Sequence, residues 1–418
     1  MSESIELKGM EAIPAEWSVR PLGSLAEIIM GQSPSSSSYN TEGVGKLLIQ
    51  GNADIADRKS NPRVWTSEVT KECELGDIIM TVRAPVGAIA KALHSACIGR
   101  GVCAIRSDEV NMEFLYQFLI NYESDWKSLE QGSTFTAVNG KDIRNLKVVL
   151  PTNEEQQKIA EILSTVDEKI EVIEEKISIT QDFKRGLMQR LLTKGIGHTE
   201  FYHSSVGEIP RSWKVSKLGE IGDFKNGINK SKEDFGHGFP FINLMNVFGT
   251  NTVKAKGLSL VNATQNELED YQLLEGDVLF IRSSVKPEGV GLTAVVTTDL
   301  PNTVFSGFLI RFRDNGSLTT EFKKHCFFSN DFRRRLLNLS SVSANTNINQ
   351  KALESLAIAI PPIEEQIQIA QIFEAFDEKI SLLEEKRDVF LNLKSGLMQQ
   401  LLSGKIRVNS QIQKQVIA

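Results

Sequence analysis

The chain has 418 residues and 46.5 kDa, room for two to four domains with cores of their own. Its 41% hydrophobic and 24% charged residues, with 30 Gly and 12 Pro, exclude collagen-like and wholly disordered chains. A net charge of −6, from 47 basic and 53 acidic residues, excludes a protein that coats nucleic acid indiscriminately but allows local basic patches. The acidic start, Met1-Ser2-Glu3-Ser4-Ile5-Glu6, is unlike a secretory leader, and no apolar run reaches the roughly 18 residues of a membrane span. Cys73, Cys97, Cys103 and Cys326 fit neither a zinc knuckle nor a disulfide framework, so they read as reduced and buried. The expectation is a cytoplasmic protein with no metal site and no membrane contact.

In chain order, residues 1–150 read as short strands broken by Gly, Pro, Ser and Asn, the clearest at Asp77 to Val82, with one helix over Met112 to Glu130. After Pro151, Thr152 and Glu155 fit a capping box. Ile159, Leu163, Val166, Ile170, Ile173 and Ile177 then keep the 4-3-4-3-4 spacing of a coiled-coil seam. A helix of roughly 30 to 40 residues spans about 45 to 60 Å, a spacer's length. Gly186 would cost about 1 kcal/mol in a helix interior, so an end followed by a short second helix is expected there. Residues 198–360 return to strands, at Asp277 to Arg282 and Thr303 to Arg313, with a helix over Thr319 to Leu339. Pro361-Pro362 opens a second long helix with its seam at Ile369, Phe373, Phe376, Ile380 and Leu383 and a late Gly396.

These halves are two copies of one plan. Ile13-Pro14-Ala15-Glu16-Trp17 returns as Ile209-Pro210-Arg211-Ser212-Trp213. Gly76-Asp77-Ile78-Ile79-Met80 returns as Gly276-Asp277-Val278-Leu279-Phe280, each followed shortly by an arginine, Arg83 and Arg282. Pro151 to Ile196 matches Pro361 to Ile406 without a gap, at 22 of 46 positions. The expected class is α+β: β-rich domains at 1–150 and 198–360, antiparallel coiled-coil helices in 151–197 and 361–407 related by a pseudo-twofold, and a tail at 408–418. Two related domains on a rod suit a linear partner with spaced half-sites, and duplex DNA is such a partner.

At this point the residues resemble a known family, the specificity subunits of type I restriction-modification enzymes. That family carries an Ile-Pro-x-x-Trp opening, a Gly-Asp strand and a Pro-Pro-x-x-Glu-Gln helix start, each twice; this chain matches over residues 13 to about 407, and its first helix departs by opening Pro151-Thr152-Asn153. The resemblance implies that 1–150 and 198–360 each read half of a split DNA target. It implies that 151–197 and 361–407 act as a ruler for the gap. It also implies two modification subunits that use S-adenosylmethionine to methylate adenine, and restriction subunits, with ATP and magnesium on those partners. No cofactor is expected on this chain. A structural adaptor, with two protein-binding domains on the spacer, is the alternative.

Each β-rich half is near neutral, with 15 basic and 19 acidic residues in 1–150 and 18 and 17 in 198–360, so clusters must hold phosphate. The polar loop Gly31 to Asn40 offers Ser33, Ser35, Ser36, Tyr39 and Asn40, and its counterpart offers Lys225, Asn226, Asn229 and Lys230. Arg83, and Arg282 with Ser283 and Lys286, follow the repeated strand, where a guanidinium could take guanine bidentately. Arg100, Ser133, Thr134, Asn345 and Asn347 complete the candidates, while Arg333 to Arg335 read as a helix face.

No catalytic constellation accompanies them. Asn61-Pro62-Arg63-Val64 lacks the second Pro and the ring of an adenine-methyltransferase loop, and Gly43-Val44-Gly45-Lys46-Leu47 lacks the spacing of a phosphate loop. Glu174-Glu175-Lys176 and Glu384-Glu385-Lys386 sit on the predicted helices as solvated charge. His94, His198, His203, His237 and His325 form no metal-spaced set. A non-catalytic subunit is expected.

Overall fold

The computed structural model describes residues 13–126, 137–342 and 345–408. The chain divides into two compact units: residues up to Glu174 together with those from Glu385 onward, and Glu175–Glu384. One long helix runs Asn153–Lys194 and another Ile363–Leu401, so each contributes to both units.

In the first unit, Glu27–Met30, Val102–Arg106, Ile78–Thr81 and Ile89–Lys91 lie side by side in a six-stranded sheet that ends in Lys59–Ser60 and Ile55–Ala56. Successive side chains of Ile78–Thr81 enter opposite cores. Ile78 and Met80 join Trp17, Leu22 and Phe114, whereas Ile79 joins Ile49, Ala96 and Ile98. A strand buried on both faces needs no polar alternation, which is why Ile78, Ile79 and Met80 are apolar in succession. The second unit repeats the device, with Gly222–Asn226, Leu309–Asp314, Val278–Ile281 and Thr293–Val295 in order. Val278 and Phe280 join Trp213 and Phe322, while Leu279 joins Ile242 and Phe305.

The repeated Gly-Asp pair starts these strands. Gly76 and Gly276 take φ of 90° and 84°, a left-handed turn that side chains resist. Asp77, 3% exposed, accepts from Arg106 at 2.8 and 2.7 Å, and Asp277, 1% exposed, from Arg313 at 2.7 and 2.6 Å. Each buried carboxylate is thereby paired bidentately.

The repeated Trp and Glu-Gln residues fasten the helices to the units. Trp17 Nε1 donates to Glu155 Oε2 at 2.8 Å, and Trp213 Nε1 to Glu365 Oε2 at 2.8 Å. Gln156 accepts the Asn111 N–H at 3.0 Å and Gln366 that of Thr319 at 2.8 Å. The end of the other helix supplies a further partner. Arg407 donates to Glu155 at 2.6 Å in the first unit, and the Ile196 N–H reaches Glu365 at 2.9 Å in the second. Burial pushes the Glu155 carboxyl up, but the bonds from Arg407 and Trp17 outweigh it and hold its pKa below the usual value.

Within each unit the helices pack antiparallel, since residue numbers fall on one as they rise on the other. Glu155 meets Arg407 and Asp167 meets Lys394 at 2.7 Å in the first. In the second, Lys184 meets Asp377 and the Ile196 N–H meets Glu365, with the Phe183 and Phe376 rings 5.6 Å apart. Ile159, Leu163, Val166, Ile170, Ile173 and Ile177 are buried, as are Ile369 and Phe373; Phe376, Ile380 and Leu383 are half-buried.

Four expectations need correction. Neither Gly186 nor Gly396 ends its helix, and nothing lies within 4 Å of where a Cβ would stand. A single glycine is carried by a long helix that is packed on both sides of it. The helix over Thr319 to Leu339 is two, Thr320–Cys326 and Asn330–Asn338, because Ser329 caps the second by accepting the Phe332 N–H at 3.2 Å. Thr303 to Arg313 is likewise two strands, Val304–Phe305 and Leu309–Asp314, turned at Ser306-Gly307-Phe308. Thr152 does cap, but the Glu155 carboxylate accepts from the Thr152 hydroxyl at 3.2 Å and from Trp17, so it serves the domain junction. The helix near Met112 is formed over Met112–Asn121, and residues 127–130 of the predicted span lie outside the described residues.

Candidate nucleic-acid interface

Three segments build the same face in each unit. In the first, the Gly31 N–H donates to Val102 O at 3.0 Å and the Gln32 N–H to Ile98 O at 2.9 Å, docking the polar loop on the hairpin tip Gly99-Arg100-Gly101. In the second, the Gly227 N–H donates to Leu309 O at 3.1 Å and the Ile228 N–H to Phe305 O at 2.8 Å, docking on Ser306-Gly307-Phe308. A Cβ at Gly31 would lie 2.1 Å from Gly99 O and one at Gly227 2.2 Å from Ser306 O, so glycine is needed at both close approaches. The third segment follows the Gly-Asp strand. The Val82 N–H donates to Gly101 O at 2.9 Å and the Arg282 N–H to Phe308 O at 2.8 Å. The Val138 N–H then reaches Val82 O at 2.9 Å and the Ile348 N–H reaches Arg282 O at 3.0 Å.

This pattern corrects the pairing of the two arginines. Arg282 occupies the place of Val82, and Arg83 that of Ser283: Arg83 bridges to Ala137 as Ser283 pairs with Asn347. Alternation along a strand puts neighbouring positions on opposite faces, so the arginines are not equivalent.

The face gathers some candidates and releases others. Ser33 Oγ accepts from the Arg100 N–H at 3.1 Å and Nε at 3.4 Å, and Asn229 Oδ1 stands at the matching place beside Gly307. Arg282 Nη1 lies 3.5 Å from Gly307 O. Ser283 and Asn347 join it through a small sheet, and the Asn347 amide donates to Asn345 O at 2.9 Å. Arg83 and Lys286 are exposed, with no side-chain partner among the described residues.

The remaining candidates serve the fold. The Ser35 N–H donates to Glu68 at 3.0 Å, Ser36 opens a helical turn, and the Tyr39 hydroxyl donates to Pro34 O at 3.2 Å. Asn40 closes a turn through two 2.9 Å bonds with Val44. Lys225 pairs with Asp270 at 3.0 Å above the Tyr271 ring, and Lys230 pairs with Glu267 at 2.8 Å. Asn226 lies in a strand with its carbonyl oxygen buried and unpartnered among the described residues. Ser133 and Thr134 lie outside the described residues. Arg333 donates to Glu288 O and Val290 O, and Arg335 to Ala357 O, so that basic run ties the fold together. Sequence reasoning missed the second tip, where Phe308 is 60% exposed. Its signal was Gly307 inside an apolar run, which marks a turn or a close approach.

A loop-built polar face repeated on two β-rich units, with Arg83 and Arg100 exposed and no metal-ligating cluster among the described residues, has the make-up of a nucleic-acid recognition chain. The family described as "Type I restriction modification DNA specificity domain" matches residues 14–181 and again 210–390. The chain therefore belongs to that family; its function is recognition of DNA sequence, and it is not itself catalytic. Its relatives include the type I restriction enzyme MjaVIII specificity subunit of Methanocaldococcus jannaschii, 25% identical, with the match covering 97% of this chain and 96% of the relative. The putative MjaX specificity subunit of the same organism is 37% identical over 185 residues, 43% of this chain and 44% of the relative. The EcoKI specificity subunit of Escherichia coli is 21% identical, covering 94% and 89%. Two solved structures share the fold. One is a chain of a type I R-M system, at a TM-score of 0.61 and 19% identity over 94% of this chain and all of that one. The other is the M. genitalium S subunit, at 0.54 and 17% over 96% and 99%. The chain works in a complex with DNA and other subunits, and among the described residues no helix is long and apolar enough to cross a membrane.

Proposed function

We propose that this chain reads a split duplex target, residues 1–150 taking one half-site and 198–360 the other, while the helices in 151–197 and 361–407 fix the gap. The observation that carries the reading is the three-segment face, built twice with the same backbone bonds and different side chains. Its partners are two modification subunits, which bind S-adenosylmethionine and methylate adenine, and restriction subunits that use ATP and magnesium. Phosphate contacts come from Arg83, Arg282 and Lys286 together with positive charge on those partners.

Mapping methylated adenines across the genome of cells carrying this chain and its modification partner tests the reading, with residues 198–360 replaced by a relative's in a second strain. A split motif that changes in one half only on the swap is the expected result. Methylation independent of this chain would favour the adaptor with two protein-binding domains.

A further inference from the structure

The two homologous tips are equally well held but chemically unlike. The Val102 N–H closes the first turn on Gly99 O at 3.2 Å, and the Leu309 N–H closes the second on Ser306 O at 2.8 Å. Arg100 is exposed, and its N–H and Nε both donate to Ser33 Oγ. Its two terminal nitrogens have no partner among the described residues, so the anchored side chain offers a free planar fork. In the second unit no cation occupies the tip. Phe308 stands there 60% exposed, while Phe305 and Leu309 on either side are fully buried. The Phe308 N–H donates to Ser306 Oγ at 3.2 Å and its carbonyl accepts the Arg282 N–H at 2.8 Å, so the backbone holds the ring in water. Arg282 lies beside it through that bond, and Val285, three positions further along the same segment, is 81% exposed.

We infer that these tips are the specificity elements of the two units and that they read different base chemistry: Arg100 takes the paired acceptors of a guanine edge, and Phe308 packs on the 5-methyl group of a thymine. A guanidinium fork matches guanine O6 and N7 in the major groove. A phenyl ring carries no polar atom, and against any other base edge it would strip water from a donor or acceptor without replacing the bond. The thymine methyl is the one major-groove group it can cover at no such cost. The inference rests on the DNA-reading function proposed above.

The complex with the modification subunit is used for the test, with methylated adenines mapped for wild type, R100A, R100K and F308A. R100A is expected to lose preference for one guanine in one half-site, by roughly 5- to 150-fold, and R100K to restore only part of it, because an ammonium can reach both acceptors but has neither the planar fork nor the Nε–H that anchors Arg100 to Ser33. F308A is expected to relax one thymine in the other half-site. Duplex carrying deoxyuridine at that thymine should bind wild-type complex several-fold more weakly and F308A no more weakly than the thymine duplex. That comparison uses folded wild-type protein and isolates one methyl group. A split motif with every base preference kept in the variants, or equal wild-type binding of the two duplexes, overturns the assignment of the tips alone. If wild type methylates no split motif, the DNA-reading function falls and the tip assignment falls with it.

Discussion

Asp77 and Asp277 are nearly excluded from water, and each accepts two bonds from a guanidinium on the neighbouring strand. Removing the carboxylate takes two charge-assisted bonds from a guanidinium that is itself partly exposed, a loss of about 1.5 to 3 kcal/mol. D77A or D277A is expected to lower the melting temperature sharply, read by calorimetry on the purified chain. Glu155 adds a pH signature. Its folded pKa is depressed, so its contribution is complete above the unfolded value near 4.5 and is lost as pH falls through the folded one. E155Q keeps an acceptor for Trp17 but loses the charge that Arg407 pairs with; it should cost about 1 to 2 kcal/mol at neutral pH, with the gap to wild type closing in acid. Equal gaps at both pH values would remove Arg407 from the account. Trp17 and Glu155 both stood out in the sequence as repeated residues, yet their bond spans 138 positions and no local pattern reports it. Arg83 and Arg282 failed for a related reason: proximity to the same strand does not fix register, and one position reverses the face.

Elements were legible where their period is local. The long helices follow from a seven-residue apolar repeat, and the central strands from short apolar runs started by a left-handed glycine. The breaks were harder. Ser329, Asn330 and Gly307 were visible punctuation, but apolar residues on both sides made the runs look continuous. Gly186 and Gly396 erred the other way, read as ends when tertiary packing overrides propensity. Because an added methyl would meet nothing, G186A and G396A should each stabilise the chain by about 0.5 to 1 kcal/mol and raise melting by a few degrees. A fall in melting temperature would mean that something covers these positions. The polar loop was only partly legible, since Asn40, Tyr39 and Lys225 look like ligand-binding groups until the fold supplies their partners.

Across the whole molecule, the duplication was the most informative feature, because it depends on comparing the chain with itself. If the helices set the gap between half-sites, four residues inserted before Gly186 and four before Gly396 add about 6 Å, roughly two base-pair steps. Methylome mapping should then return the same two half-sites with a longer gap; altered half-sites with the old gap would contradict the ruler. The fastening of Glu155 by Arg407 also has a bearing on how the protein is made. Glu175–Glu384 is one continuous stretch and can close its core as soon as it leaves the ribosome. The first unit, although its strands are synthesised earlier, needs Met398, Leu401 and Leu402 against Trp17, Ile159 and Leu163. At about 5 to 20 residues per second, those early apolar surfaces wait on the order of ten seconds or more for the segment that covers them. The half made first is finished last, and chaperone dependence or aggregation on interrupted synthesis would arise there.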